Sequence, residues 1–114
     1  MDAQRLRSGL SFSRVFEEGC TIVGRLVVIH YLRGVTEHPR VGFAAGKKLG
    51  GAVVRNRFRR RLREAFRHLP GELAPVDLVL VARSAMQEAS FEQIQKDLMR
   101  VLSRARLLRS ASSF

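Results

Sequence analysis

Several residue types that mark common functions are scarce in this 114-residue sequence. Cys20 is the only cysteine, which excludes an internal disulfide and a zinc site built from cysteines alone. Tryptophan is absent, and no apolar run approaches the roughly 20 residues that a membrane-spanning helix needs. The first residues lack the continuous apolar core of a signal peptide, so we expect a cytoplasmic protein. Acidic residues are also few, ten against 21 Lys and Arg.

What remains predicts one basic, folded domain. Apolar residues make up 46% of the chain, which is enough for a single hydrophobic core. We therefore predict one domain over residues 1–114, with a frayed tail over 109–114. The formal net charge of +11 indicates a polyanionic partner, and nucleic acid is favoured over an anionic membrane surface.

The apolar pattern predicts the order αβββαβα. The elements are a helix over 8–18 capped by Ser8 or Ser11, a short extended piece over 21–23, strands over 25–33 and 40–45, a helix over 52–69, a strand over 76–82, and a helix that starts with a capping box between Ser90 and Gln93. We expect a kink at Gly42 and a last strand buried on both faces. This order predicts an α+β fold, an α/β sandwich in which helices pack on a small sheet.

The basic residues are concentrated in one segment, residues 46–67. It contains nine of the 21 Lys and Arg residues and one acid, Glu64, and so contributes +8 of the net charge. Only Glu64 can neutralise the predicted helix from within, and like charges four residues apart weaken a helix that has no ligand. This concentration indicates a local binding device.

A helical projection of this segment separates an apolar stripe from a basic side. The stripe consists of Val54, Phe58, Leu62, Ala65, Phe66 and Leu69. Asn56, Arg60, Arg63 and Arg67 lie opposite, flanked by Arg57, Arg59 and Arg61. Arg55 lies beside the stripe and must bend outward or pair. Guanidinium groups one turn apart suit a row of backbone phosphates, whereas a solvated face or a membrane surface is disfavoured.

The same segment carries a motif that resembles a known family. Arg40-Val-Gly-Phe, Lys47-Lys48-Leu-Gly50 and Ala52-Val-Val-Arg55-Asn56-Arg57, followed by Arg60-Arg-Leu-Arg63-Glu64, are similar to the signature of the bacterial ribonuclease P protein subunit. The similarity covers nearly the whole chain. The resemblance implies a small basic protein that pairs with a catalytic RNA, expected at 1:1, and no membrane partner. Together they would remove the 5′ leader of precursor tRNA as an endoribonuclease.

The resemblance also implies which residues contact each RNA. Contact with the RNA subunit falls on Lys47, Lys48, Arg55, Asn56, Arg57, Arg60, Arg61 and Arg63, to which the helical projection adds Arg59 and Arg67. A leader-binding cleft between the first helix and the sheet falls on Phe12, Phe16 and His30. For these three residues, packing in the core or the strand remains an alternative. The fold implied is that of domain 2 of ribosomal protein S5, with a left-handed βαβ crossover, although such crossovers are generally right-handed.

Protein side chains that could catalyse hydrolysis are not apparent. Asp77 lies near a strand start, and we expect Glu92 and Asp97 on the outer side of the last helix. No Ser-His-Asp or Cys-His set is evident. The resemblance accordingly implies that the RNA performs the chemistry with Mg²⁺ held by RNA and substrate, and that the protein has no catalytic residue and no metal site.

Two positions depart from the family pattern. Gly46 stands where a serine usually precedes the two lysines, and Gly51 stands where a polar residue is common, so we expect a weaker cap for the basic helix. Two other functions remain as alternatives. One is a ribosomal or other structural RNA-binding protein, and the other is a helix-based DNA binder, which would favour duplexes and usually a symmetric dimer.

Overall fold

Five strands form one mixed sheet with helices on both faces. The computed structural model describes residues 1–7 and 9–109. In chain order the elements are β1 (Gln4–Arg5), α1 (Gly9–Glu18), β2 (Cys20–Val23), β3 (Val27–Arg33), β4 (Arg40–Ala45), α2 (Ala52–Arg67), β5 (Glu72–Leu73), β6 (Val76–Ala82), α3 (Phe91–Arg104) and β7 (Leu108–Arg109). Short 3-10 helices span Lys47–Leu49 and Ser84–Glu88. The predicted αβββαβα order is confirmed; the two-residue strands β1, β5 and β7 were not predicted.

The sheet has the strand order β1-β4-β6-β3-β2. β4 is parallel to β1 and β6, whereas β3 is antiparallel to β6 and β2. The parallel neighbours β4 and β6 are joined through α2, so the chain contains the expected βαβ crossover. Its left hand stays a prediction from the resemblance. β5 and β7 form a separate antiparallel pair.

Alternation along the strands decides which helix covers which face. Val27 and Ile29 of β3 are fully buried and pack in the large core with α2 and α3. Val79 of β6 instead packs with Val15 of α1 on the opposite face. β6 is therefore covered on both sides, as its continuous apolar sequence predicted. No helix among the described residues combines the length and hydropathy needed to cross a membrane.

One buried carboxylate corrects two expectations. Asp97 does not lie on the outer side of α3: it is 3% exposed, and its side chain accepts the backbone N–H groups of Arg25, Leu26 and Val27. The Arg25 and Leu26 N–H groups bind this side chain, and the strand expected from residue 25 begins only at Val27. Asp97 thus ties α3 to the turn between β2 and β3.

Smaller differences have local causes. No kink is needed at Gly42, which pairs with Val79 inside a continuous β4; a Cβ at this position would overlap the Phe12 ring. α2 ends at Arg67, two residues earlier than expected. Arg109 pairs with Glu72, so the predicted fraying is wrong at that residue, while residues 110–114 and the candidate cap Ser8 lie outside the described residues. The Ser90–Gln93 capping box is confirmed.

Candidate nucleic-acid interface

α2 presents its basic residues as the helical projection predicted. Phe58, Leu62, Ala65 and Phe66 are buried. The opposite side carries the exposed residues Asn56, Arg57, Arg60, Arg63 and Arg67. Gly51 is the N-cap residue before Ala52 and provides no side-chain cap, in line with the expected weaker start. We call the outward side of α2, together with Lys47 and Lys48 in the preceding turn, the α2 face.

Four cations of the α2 face have no partner within the described part of the chain. Lys47, Lys48, Arg57 and Arg60 are exposed, and none of their side chains makes a hydrogen bond or ion pair with residues 1–7 or 9–109. Each therefore keeps its full donor capacity for an external anion. Ammonium and guanidinium groups that gain nothing from the fold are best explained by a ligand that is itself polyanionic.

Two arginines predicted to contact RNA also donate hydrogen bonds within the protein, and their contact with RNA stays a prediction. Arg55 was expected to bend outward or to pair; it pairs, donating from Nε to the carbonyl oxygen of Ala45 at 3.0 Å. Arg61 donates to the carbonyl oxygens of Met86 at 2.9 Å and Gln87 at 3.3 Å, and also to that of Ala89. The Arg61 guanidinium thereby satisfies the end of a 3-10 helix and the loop before α3. The structure gives both side chains an architectural role.

The remaining members of the α2 face are oriented by weak contacts. Arg59 donates to the Asn56 side-chain oxygen. Arg63 lies with its guanidinium carbon 5.9 Å from the centre of the Phe43 ring, a cation–π arrangement. Arg67 lies 3.9 Å from the Glu64 carboxylate, which also approaches His68 at 3.5 Å. These side chains are mostly exposed and can exchange such contacts for phosphate oxygens.

A groove of about 950 Å³ connects the α2 face to the N-terminal segment. Asn56, Arg59, Arg63 and Arg67 form one wall, and Arg5 and Arg7 form the other. Phe12, Gly42 and Phe43 line the space between them. Guanidinium walls around an aromatic floor suit a single nucleic acid strand, whose bases stack while its phosphates pair. Sequence reasoning missed Arg5 and Arg7, because two-residue β1 has no detectable period.

Beside α1, the sheet offers a second apolar surface. Ala44, Val81, Val28 and Val23 lie in register across β4, β6, β3 and β2, and all are at least partly exposed. Phe12 packs on Gly42 in the row next to them, and the Phe16 ring meets the His30 ring edge-on at 4.7 Å. We call this surface the sheet cleft. It brings together the three residues that the resemblance assigned to leader binding.

The three cleft residues differ in how they are held. Phe12 is half-buried in the small α1 core, so packing accounts for part of its role. Phe16 keeps 45% of its surface exposed, more than its packing requires. Nδ1 of His30 lies 2.9 Å from the Thr21 hydroxyl, and burial lowers the pKa of His30 below 6.5. The imidazole is therefore neutral at pH 7 and presents a π-face rather than a charge.

The carboxylates of the described residues do not form an evident Mg²⁺ site. Across residues 1–7 and 9–109, no three His, Cys, Asp or Glu side chains are grouped so that they could hold a metal ion. Asp77 is buried and receives two 2.6 Å hydrogen bonds from Arg40, whose pKa these bonds raise. Asp97 is used by backbone N–H groups. Within residues 1–7 and 9–109, the carboxylates are therefore not grouped as a resident Mg²⁺ would need, since this ion prefers several free carboxylate oxygens.

Comparisons with known proteins identify the family of this chain. The sequence matches the family model for Ribonuclease P over residues 1–106. It is 44% identical over 108 residues to the ribonuclease P protein component of Symbiobacterium thermophilum, covering 93% of this chain and 94% of that protein. It is 38% identical over 104 residues to the same component of Syntrophomonas wolfei, covering 90% and 87%.

Solved structures are similar over the same length. The Staphylococcus aureus RNase P protein matches with a TM-score of 0.80 and 29% identity, covering 95% of this chain and all of that one. The RNase P protein of Thermotoga maritima matches with a TM-score of 0.74 and 26% identity, covering 89% and 96%. Because the family model and the curated relatives both cover most of the chain, this protein belongs to the ribonuclease P protein family.

Proposed function

We propose that this chain is the protein subunit of a ribonuclease P ribonucleoprotein and acts through two separate surfaces. The α2 face binds the catalytic RNA subunit, and the sheet cleft binds the 5′ leader of precursor tRNA. The RNA performs the endonucleolytic hydrolysis with Mg²⁺ that it holds together with the substrate. The observation that carries this proposal is a set of four cations on the α2 face that have no partner among residues 1–7 and 9–109: Lys47, Lys48, Arg57 and Arg60.

The division between the two surfaces follows from their chemistry. The α2 face is almost purely cationic, so its affinity comes from phosphates and does not depend on base sequence. The sheet cleft has a neutral floor with an exposed Phe16 ring, which suits the faces of unpaired bases. A folded catalytic RNA offers dense phosphate, whereas a leader is single-stranded. We therefore assign the first ligand to the α2 face and the second to the cleft.

Reconstitution tests the proposal directly. The chain is added to bacterial ribonuclease P RNA subunits and a precursor tRNA at low Mg²⁺, and leader removal is followed on a gel. We expect clear stimulation by the wild-type chain. No stimulation with any of several RNA subunits would reject the ribonucleoprotein function, and preferred binding to duplex DNA would favour the DNA-binding alternative.

Variants then separate the two surfaces. Arg57→Ala with Arg60→Ala should weaken RNA-subunit binding about ten- to hundredfold. The slope of log affinity against log salt concentration should become shallower by up to about 1.8. Phe16→Ala should leave this binding unchanged but reduce the preference for precursor over mature tRNA by roughly tenfold, the value of one lost stacking contact. Arg14→Ala is the control, since this exposed arginine lies on neither surface and forms an ion pair with Glu18. Equal losses in all three variants would contradict the division.

A further inference from the structure

The outer side of α3 carries a second basic surface. Lys96, Arg100 and Arg104 recur every four residues, which places them on one side of the helix about 6 Å apart. Arg25, in the turn between β2 and β3, lines the same depression as Lys96 and Arg100. All four side chains are exposed. We call these four residues the α3 stripe.

This basic surface is not evident from the charge count of the sequence, because some of the acids counted there are buried. The 47 residues after the α2 segment contain six basic and five acidic residues and look nearly neutral. Two of these acids, Asp77 and Asp97, are buried, with their oxygens bound to Arg40 and to backbone N–H groups. Every one of the six basic residues is exposed. At the surface of this segment, six basic residues therefore stand against three acids.

The α3 stripe is largely free to bind an anion. The side chains of Arg25, Lys96 and Arg104 form no hydrogen bond or ion pair within the part of the chain that the structure describes. Arg100 lies 3.8 Å from Asp97, yet 57% of its side chain is exposed. Glu88 lines the depression and Glu92 lies in the first turn of α3, so the surface grows more positive toward Arg104.

The α3 stripe faces away from the α2 face. Gln95 donates to the carbonyl oxygen of Ala65 and so marks the side of α3 that packs on α2. Asp97 marks the other side, which reaches the turn between β2 and β3, and the stripe lies nearer to it. Because the two basic surfaces point in different directions, a short RNA segment that lies on α2 does not reach the α3 stripe. A ligand of the stripe must reach it by another route.

The sheet cleft supplies that route. Its apolar row ends at Val23, which is 56% exposed on the edge strand β2, and Arg25 follows two residues later. A strand that crosses the cleft away from the α2 face therefore leaves over β2 and meets Arg25 first. α3 contacts β2 from the other side of the sheet, so the strand next reaches Arg100, which lines a depression together with Arg25, and Arg104 lies one turn further along α3. Continuity with the cleft, and not charge alone, points to one ligand.

We propose that the α3 stripe binds the phosphates of the 5′-distal part of the leader after it has crossed the sheet cleft. This inference rests on the proposed binding of the leader. Four strands at about 4.8 Å spacing make the cleft roughly 14 Å wide, a distance that a few nucleotides of single strand cover. The stripe from Lys96 to Arg104 adds about 12 Å. Only leaders that extend beyond the cleft can reach it.

The experiment compares leader lengths in the assembled holoenzyme. Dissociation constants are measured for mature tRNA and for precursors with leaders of about four and about twelve nucleotides. The variant Lys96→Ala/Arg100→Ala/Arg104→Ala should lose roughly tenfold affinity for the long leader only. For the long-leader substrate, the slope of log affinity against log salt concentration should become shallower by up to about 0.7 per lost contact. Affinities for the short leader and for mature tRNA should be unchanged.

Controls keep the outcomes distinct. The charge-conserving variant Arg100→Lys/Arg104→Lys should retain long-leader affinity, and Arg25→Gln, which alters no core residue, should show a smaller loss of the same kind. Equal losses on both leader lengths, or no loss on the long one, would overturn the inference. If the wild-type holoenzyme did not distinguish precursor from mature tRNA at all, the proposed leader binding itself would fail.

Discussion

Arg60 and Arg61 are neighbours on α2 with opposite tasks. Arg61 donates to the backbone carbonyls of Met86, Gln87 and Ala89, whereas Arg60 has no partner within the described chain. We expect Arg61→Ala to lower the free energy of unfolding by about 1–3 kcal/mol, because partly buried carbonyl groups lose charged donors. Arg60→Ala should change it by less than about 0.5 kcal/mol. Urea unfolding followed by circular dichroism measures both values.

RNA-subunit binding should rank the same two variants in the reverse order. Arg60→Ala should weaken binding by about tenfold, the value of one charge-assisted phosphate contact, while Arg61→Ala should bind nearly as wild type wherever it remains folded. Equal destabilisation by the two changes would show that Arg61 is not architectural. Comparing neighbours controls for helix propensity and for net charge.

Asp97 is a buried acid that holds two elements of the fold together. It accepts three backbone N–H groups from the turn before β3 and fixes α3 against the sheet. Asp97→Ala leaves these donors buried without acceptors, so we expect a loss of about 3 kcal/mol or more in urea unfolding. Glu92→Ala, on the exposed first turn of α3, is the matched control and should cost less than about 0.5 kcal/mol. A loss below about 1 kcal/mol for Asp97→Ala would contradict this role.

At the scale of the element, α2 begins with two glycines that differ in kind. Gly51 has φ −76°, and a side chain at this position would meet open space. Gly50 has φ +139°, and a side chain there would touch Val54. We expect Gly51→Ser to stabilise the fold by a few tenths of a kcal/mol, because a hydroxyl can accept an N–H group that the glycine leaves unbound. Gly50→Ser should destabilise by about 1–3 kcal/mol through backbone strain.

Thermal unfolding of the two glycine variants tests this contrast. Because the two sites are adjacent, a non-specific effect of serine would move both melting temperatures in the same direction. RNA-subunit binding by Gly51→Ser should be unchanged, since no cation of the α2 face moves. A lower melting temperature for Gly51→Ser would mean that the Gly51 backbone is itself required.

Elements with a strong apolar period were predictable, and those held by single contacts were not. The stripe of α2 and the continuous apolar run of β6 each identify their element, because burial of many side chains fixes the period. β1, β5 and β7 have two residues each and depend on a partner strand distant in sequence. The start of β3 depends on Asp97, 70 residues away from Val27. No local pattern carries such information.

At the scale of the whole molecule, one basic surface could be predicted from the sequence and the others could not. Residues 46–67 are contiguous, so their charge is visible in composition. Arg5 and Arg7 complete a groove with α2 only because β1 pairs with β4. The α3 stripe emerges only because Asp77 and Asp97 are buried. The free protein therefore carries several cationic surfaces with few exposed acids between them.

This charge distribution predicts that salt acts oppositely on folding and on binding. Repulsion among exposed cations destabilises the free protein, and salt screens it over about 10 Å at 0.1 M. Raising NaCl from about 0.02 to 0.3 M should therefore raise the melting temperature by several degrees. The same change should weaken RNA-subunit binding by orders of magnitude through counterion release. Sulfate should stabilise the free protein more than chloride at equal ionic strength, because guanidinium groups bind oxyanions with two hydrogen bonds.

The variant Arg57→Ala/Arg60→Ala/Arg63→Ala identifies where the repulsion lies. Removing three charges from the α2 face should raise the melting temperature at low salt and reduce the further gain from NaCl, measured by calorimetry. If the variant gained as much from salt as the wild type, the repulsion would reside elsewhere, on the N-terminal arginines or the α3 stripe. A wild-type melting temperature independent of salt would mean that local contacts already compensate the charge. The α2 face would then cost the fold nothing, and a polyanionic ligand would no longer be needed to explain it.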